Sequence, residues 1–169
     1  KPDDIDVLIN RGTAKYKLKD YRGAIESYNQ VLKLDNKNSF AYYTRGNCKA
    51  KMDDIPGAIK DFDKAIELGH PLGNAFYDRG LCKIILKNYQ SALYDFQKAI
   101  DIDPNNFSSI GKKGICYYQM KQYKNAIEAF NQAVILKPEA EELYTYRALS
   151  KIALKDLEGA LSDYNEVLK

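Results

Sequence analysis

The sequence predicts an all-α fold, a helical solenoid of antiparallel helix–turn–helix units repeating every 34 residues. Three columns of residues predict it. A glycine recurs at Gly12, Gly46, Gly80 and Gly114, with Ala148 in the fifth place. An alanine recurs at Ala24, Ala58, Ala92, Ala126 and Ala160. An aromatic ring recurs at Tyr28, Phe62, Phe96, Phe130 and Tyr164. The columns keep register without an insertion, which marks a stacked-repeat architecture.

Counted from Ile5, Ser39, Gly73, Phe107 and Glu141, the copies are 5–38, 39–72, 73–106, 107–140 and an incomplete 141–169. They form one domain over 1–169, in which residues 1–4 read as the tail of a preceding repeat. The first half of each copy is helical. Places 3, 10 and 14 form one apolar line, represented by Ala75, Cys82 and Leu86. The second half carries a stripe at places 17, 20, 21, 24, 27 and 28, represented by Tyr89, Ala92, Leu93, Phe96, Ala99 and Ile100. Spacings of three and four mark an amphipathic helix. Turn-like residues such as "KD" at 19–20 and "KN" at 87–88 separate the two halves. Pro56 falls in a first helical turn, where a missing N–H costs nothing. "DPNN" at 103–106 reads as a stop. Such a unit buries its core only by stacking on its neighbours.

Small residues at places 8 and 20, an aromatic at 24 and prolines at 32 (Pro104, Pro138) resemble the tetratricopeptide repeat, over essentially the whole chain. The resemblance implies a right-handed solenoid whose first helices line a concave groove. There are departures. Leu8, Tyr42, Phe76, Ile110 and Tyr144 stand where the family has tryptophan, and Arg11, Arg45, Arg79, Lys113 and Arg147 where leucine is usual. Asn36 and His70 replace the proline in the first two copies. The beginning at "KPDD" and the end at Lys169 predict a segment of a longer protein.

The cation at place 7 lies on a line that otherwise faces the core. Asp61, Asp95 and Asp163, at place 23, occur only where place 7 is arginine. This predicts the pairs Arg45–Asp61, Arg79–Asp95 and Arg147–Asp163. The alternative is that these arginines extend to solvent.

Composition excludes several functions. Lys plus Arg is 26 against 23 Asp plus Glu, a net charge of +3, so nucleic acid is not the expected partner. The longest apolar runs are too short to span a bilayer. Cys48, Cys82 and Cys116 share place 10 with Ala14 and Ser150, so each reads as a small core residue rather than a nucleophile. Neighbouring repeats are about 8–10 Å apart, beyond disulfide reach. Unpaired thiols favour a reducing, cytoplasmic compartment, with the periplasm as the alternative. With one histidine and no catalytic or phosphate-binding motif, the chain is expected to be no enzyme and to use no cofactor or metal.

The places that the resemblance assigns to the groove carry Phe40, Tyr43, Asn47, Tyr77, Asp78, Leu81, Ile84, Lys112, Ile115, Tyr118 and Tyr146. This apolar, aromatic row has the composition of an interface. Places 9 and 12 have an alternative role, packing between adjacent first helices. Gly111 is expected to open a notch for a ligand or a neighbouring ring. Chaperone-tail clamps of this family use lysine, arginine and asparagine at set places. The first window offers Ile9, Thr13, Thr44, Asn74 and Asp78, and Asp78 would repel a carboxylate, so a chaperone tail is rejected. The expected function is a protein-interaction scaffold that takes a mostly apolar peptide or amphipathic helix of another protein. The alternatives are a structural spacer or assembly arm, or a regulatory domain of a larger protein.

Overall fold

The computed structural model describes residues 4–69 and 71–168. The readings of Lys1, Pro2 and Asp3 as a preceding tail, of His70 in the place of a proline and of Lys169 as the end lie outside the described residues. Among the described residues there are ten helices and no strand. In order they are α1 (Ile5–Lys17), α2 (Tyr21–Leu34), α3 (Ser39–Lys51), α4 (Ile55–Glu67), α5 (Leu72–Ile85), α6 (Tyr89–Ile102), α7 (Phe107–Gln119), α8 (Tyr123–Leu136), α9 (Glu141–Ala153) and α10 (Leu157–Val167). The even-numbered helices start at 21, 55, 89, 123 and 157, in steps of 34. This is the all-α repeat solenoid expected.

The chain divides into two compact units, with the boundary between Leu86 and Lys87. In the first, α1 to α5 pack in succession, and α3 also touches α5. In the second, α6 to α10 pack in succession, and α7 also touches α9. One pair of odd-numbered helices thus meets directly within each unit, α3 with α5 and α7 with α9.

The three columns explain the packing. A Cβ added at Gly12 would lie 2.8 Å from the Tyr28 ring, at Gly46 2.9 Å from Phe62, and at Gly114 2.6 Å from Phe130. The glycine lets the place-24 ring lie flat on the first helix's backbone. In the first four copies those rings, Tyr28, Phe62, Phe96 and Phe130, are the largest fully buried side chains. At about 25 cal/mol per Å² of apolar area, each is the main hydrophobic contribution of its repeat.

The inter-helix turn has one geometry. Lys19, Asp53, Lys87, Lys121 and Lys155 all have φ between 58° and 65°, the left-handed region. In the fourth copy the Lys121 N–H bonds to the Tyr118 carbonyl and the Gln122 N–H to the Tyr117 carbonyl, each at 2.9 Å. That closes the helix with the paired bonds of a Schellman end. The next residue then caps the second helix. Asp20, Asp54 and Asp156 accept from the N–H of Gly23, Gly57 and Gly159. A Cβ at these glycines would lie 2.1–2.3 Å from the capping carboxylate, so the Asp cap comes with glycine. Asn88 and Gln122 precede Ser91 and Asn125 instead, and make no side-chain cap bond.

Cys48, Cys82 and Cys116 are buried. Burial raises their thiols to about 11, 11 and 12, so they stay protonated near neutral pH. They fill the small-residue slot expected of them.

Candidate functional site

The place-7 cations organise each repeat. Arg45 donates from Nε to Asp61 Oδ2 at 2.8 Å and from Nη2 to Oδ1 at 2.7 Å. Lys49 adds a contact to Asp61 at 2.7 Å. Arg147 and Lys151 hold Asp163 in the same way. Burial alone would raise the Asp163 carboxyl, but the bonds from Arg147 and Lys151 outweigh it and hold it below the usual range. Two of the expected pairs are therefore formed. The expected Arg79–Asp95 pair joins residues of different units and stays an expectation.

The same cations reach backward, which the sequence reading missed. Arg45 Nη1 donates to Asn29 at 2.7 Å, Arg79 to Asp63 at 2.6 Å, Lys113 to Gln97 at 2.7 Å and Arg147 to Asn131 at 2.9 Å. Each acceptor is place 25 of the preceding copy, sixteen residues upstream. The signal was present: that place is Asn, Asp, Gln, Asn and Asn in the five copies.

The face of the odd-numbered helices carries the candidate groove residues. In the first unit Phe40 is exposed, at 40%, while Tyr43, Asn47, Tyr77, Asp78, Leu81 and Ile84 are half-buried. Tyr43 is a floor residue. Its ring centroid lies 5.9 Å from that of Phe62, and its Oη donates to Asp78 Oδ2 at 2.7 Å, joining α3 to α5. Burial, then the Asp78 charge, push the Tyr43 hydroxyl up, and the Asn47 side chain partly offsets this with a hydrogen bond. Asp78 itself is raised by burial, against the Tyr43 bond and the more distant charge of Lys51.

Asn47, one helical turn after Tyr43 on α3, lines a cleft of about 110 Å³ together with Thr13, Tyr16, Tyr28, Phe40 and Thr44. It opens between α1 and α3, with Tyr28 of α2 behind. Phe40 and Asn47 were expected here. Tyr16 and Tyr28 were not, and Thr13 and Thr44 entered only through the rejected chaperone window. Tyr28 replaces the phenylalanine of the middle copies, and its hydroxyl lies 3.3 Å from Thr13 Oγ1. That single hydroxyl was the available signal.

In the second unit, Tyr118 and Tyr146 form an aromatic pair with centroids 5.5 Å apart, and Tyr146 stacks on Phe130 at 6.1 Å. Lys112 pairs with Glu142 at 3.1 Å. Ile115 is only 8% exposed and packs with Ile110, Phe130 and Leu143, so the structure places it in the core instead of on a groove wall. The apolar side chain at place 9 is drawn between adjacent first helices, the alternative raised for that place. Gly111 is buried as well. A Cβ there would lie 2.7 Å from Leu143 Cδ2, so the notch holds an aliphatic neighbour, not a ligand or a ring.

Among the described residues no group of His, Cys, Asp and Glu is arranged to hold a metal ion. No described helix is long and apolar enough to cross a membrane.

Residues 5–38, 73–106 and 111–139, together more than half of the chain, match the tetratricopeptide repeat family. No curated protein matches by sequence. Among solved structures, a MamA protein is similar with TM-score 0.92 and 24% identity, over 97% of this chain and 90% of its own. YrrB, described as a TPR protein with an unusual peptide-binding site, has TM-score 0.87 and 22% identity, over 98% and 86%. MamA from Desulfovibrio magneticus RS-1 has TM-score 0.92 and 20% identity, over 97% and 93%.

Proposed function

Because the chain belongs to the tetratricopeptide repeat family, we propose that it acts as an interaction module holding a peptide or helix of a partner protein against its odd-numbered helices. Interaction between proteins is the general function of this repeat. The finer reading rests on one observation, the aromatic cleft between α1 and α3 with exposed Phe40 at its edge. The apolar stem of a partner side chain enters between Tyr16 and Phe40. Asn47 supplies the directional hydrogen bonds that fix the backbone beside it. The peptide-binding site ascribed to YrrB supports the reading by likeness of fold.

The experiment is to replace Phe40 and Asn47 together by alanine and measure binding of the partner that the unaltered chain captures. Loss of binding with an unchanged melting temperature is expected. Tyr94→Ala, on the outward side of α6 and 58% exposed, serves as the control and is expected to bind normally. Retained binding by the double variant would sink the proposal.

A second reading, an assembly arm, has an observation of its own. Leu157 and Leu161 of α10 are 65% and 62% exposed, whereas the equivalent Tyr21 and Ile25 of α2 are partly buried and pack against a core cluster. Loss of partner capture in Leu157→Asp with Leu161→Asp, but not in the Phe40 and Asn47 variant, would favour it.

A further inference from the structure

The buried aspartates Asp61 and Asp163 each come with two cations, an arginine and a lysine, in direct contact. Asp78 breaks that rule. It is half-buried, and among the described residues it takes part in no ion pair. Its hydrogen bond is from the uncharged Tyr43 hydroxyl, at 2.7 Å. An ionised carboxylate offers about four lone-pair positions, and one phenol leaves most of them open. The cation whose charge reaches it, Lys51, is exposed and not in contact.

The surroundings are aromatic. Tyr43 touches the carboxylate, and Asn47, one helical turn on from Tyr43, lines the cleft formed with Tyr16, Tyr28 and Phe40. The cleft of about 110 Å³ far exceeds the ~10–15 Å³ that admits one water, and so has room for a side chain. Aromatic walls suit a methylene stem and attract a cation through their ring faces. A carboxylate held by Tyr43 supplies the charge-assisted bond.

We propose that Asp78, with Tyr43 and the adjoining cleft, receives a lysine or arginine side chain of the partner's bound segment. This rests on the groove reading above and gives that segment its chemistry: apolar, with a basic residue facing α5. Burial holds the Asp78 carboxyl above its usual range, and burial first, then the Asp78 charge, raise the Tyr43 hydroxyl, with a smaller contribution from that charge at the mainly burial-raised Tyr16. A cation placed there relieves both, so part of the binding free energy comes from a charge already desolvated in the free protein.

The test is an NMR titration of the full chain with n-butylammonium and N-ethylguanidinium as side-chain probes and n-butanol as the uncharged control. The Asn47 side-chain amide and the Tyr43 ring are the reporters. Both cations are expected to shift them saturably, and Asp78→Asn is expected to weaken the binding roughly tenfold or more, as for loss of one charge-assisted bond. The rest of the spectrum reports whether the variant stays folded. Equal shifts with n-butanol, or an Asp78→Asn response matching the unaltered chain, would overturn the cation site while leaving the cleft as a binding surface. No shift with either cation would also overturn it. The Phe40 and Asn47 experiment judges the groove separately.

Discussion

Arg45 and Asp61 face one another across the helix pair of one repeat, with two parallel nitrogen–oxygen bonds of 2.8 and 2.7 Å. The remaining guanidinium nitrogen, Nη1, crosses to Asn29 of the repeat before. One side chain therefore ties three helices. Its planar fork makes this possible, and a lysine could not reproduce it.

Asp61→Ala deprives the part-buried Arg45 and Lys49 of their shared carboxylate, and is expected to cost about 3 kcal/mol. Arg45→Met leaves Asp61 with Lys49 and costs less, about 1–2 kcal/mol. A double-mutant cycle by urea unfolding is expected to give a coupling of about 1 kcal/mol or more. Strict additivity would mean that the pair contributes nothing.

Asp78 carries a pH signature of opposite sign to Asp163. Its folded pKa is raised, so the native state holds the proton more tightly than the unfolded chain does. Stability from this group is therefore full below the ordinary carboxylate pKa and declines as pH rises through the folded value. Asp78→Asn keeps an acceptor for Tyr43 and removes the charge. Its melting temperature is expected to exceed that of the unaltered chain near neutral pH, with the gap closing as pH falls below about 4. For Asp163 the folded pKa is lowered, so its contribution is present above the unfolded value and is lost as acid reaches the folded one.

Capping divides the second helices into two classes. Asp54 accepts from Gly57 N–H at 3.0 Å, whereas Gln122 makes no side-chain cap bond. Asp54→Ala is expected to cost about 1 kcal/mol. Gln122→Ala should stay within about 0.5 kcal/mol of the unaltered chain. Thermal melts of the two variants check the contrast.

Ser109 offers a gain. It is fully buried and its hydroxyl has no hydrogen-bond partner among the described residues. The same place is Ala41 and Ala75 in earlier copies, both fully buried. Ser109→Ala removes an unsatisfied polar atom without changing the backbone and is expected to stabilise by about 1 kcal/mol, read from the urea midpoint.

The repeat was legible because few side chains satisfy its central packing. A ring at place 24 requires glycine or alanine across from it, and both leave a periodic trace. The backward reach of the place-7 cations was equally periodic, but a frame drawn inside each copy hides a partner in the preceding one. Groove membership was less legible, because place number does not decide exposure. Asn47 and Ile115 share place 9, yet one lines a cleft and the other is buried, since isoleucine gains by leaving water and asparagine does not. Tyr28 lines the cleft and differs from the phenylalanine of the middle copies by one hydroxyl, too small a difference for a pattern of residue classes to register.

The sixteen-residue reach of the place-7 cations in both directions has a consequence for how the chain can change. Excising one full 34-residue period rejoins every such cation to a polar acceptor of the same kind. Excising any other number leaves a guanidinium or ammonium opposite the wrong residue and the next ring opposite a bulky one. Length in this molecule is quantised: whole copies can be lost or gained with each surviving neighbour contact preserved, and fractions of a copy cannot.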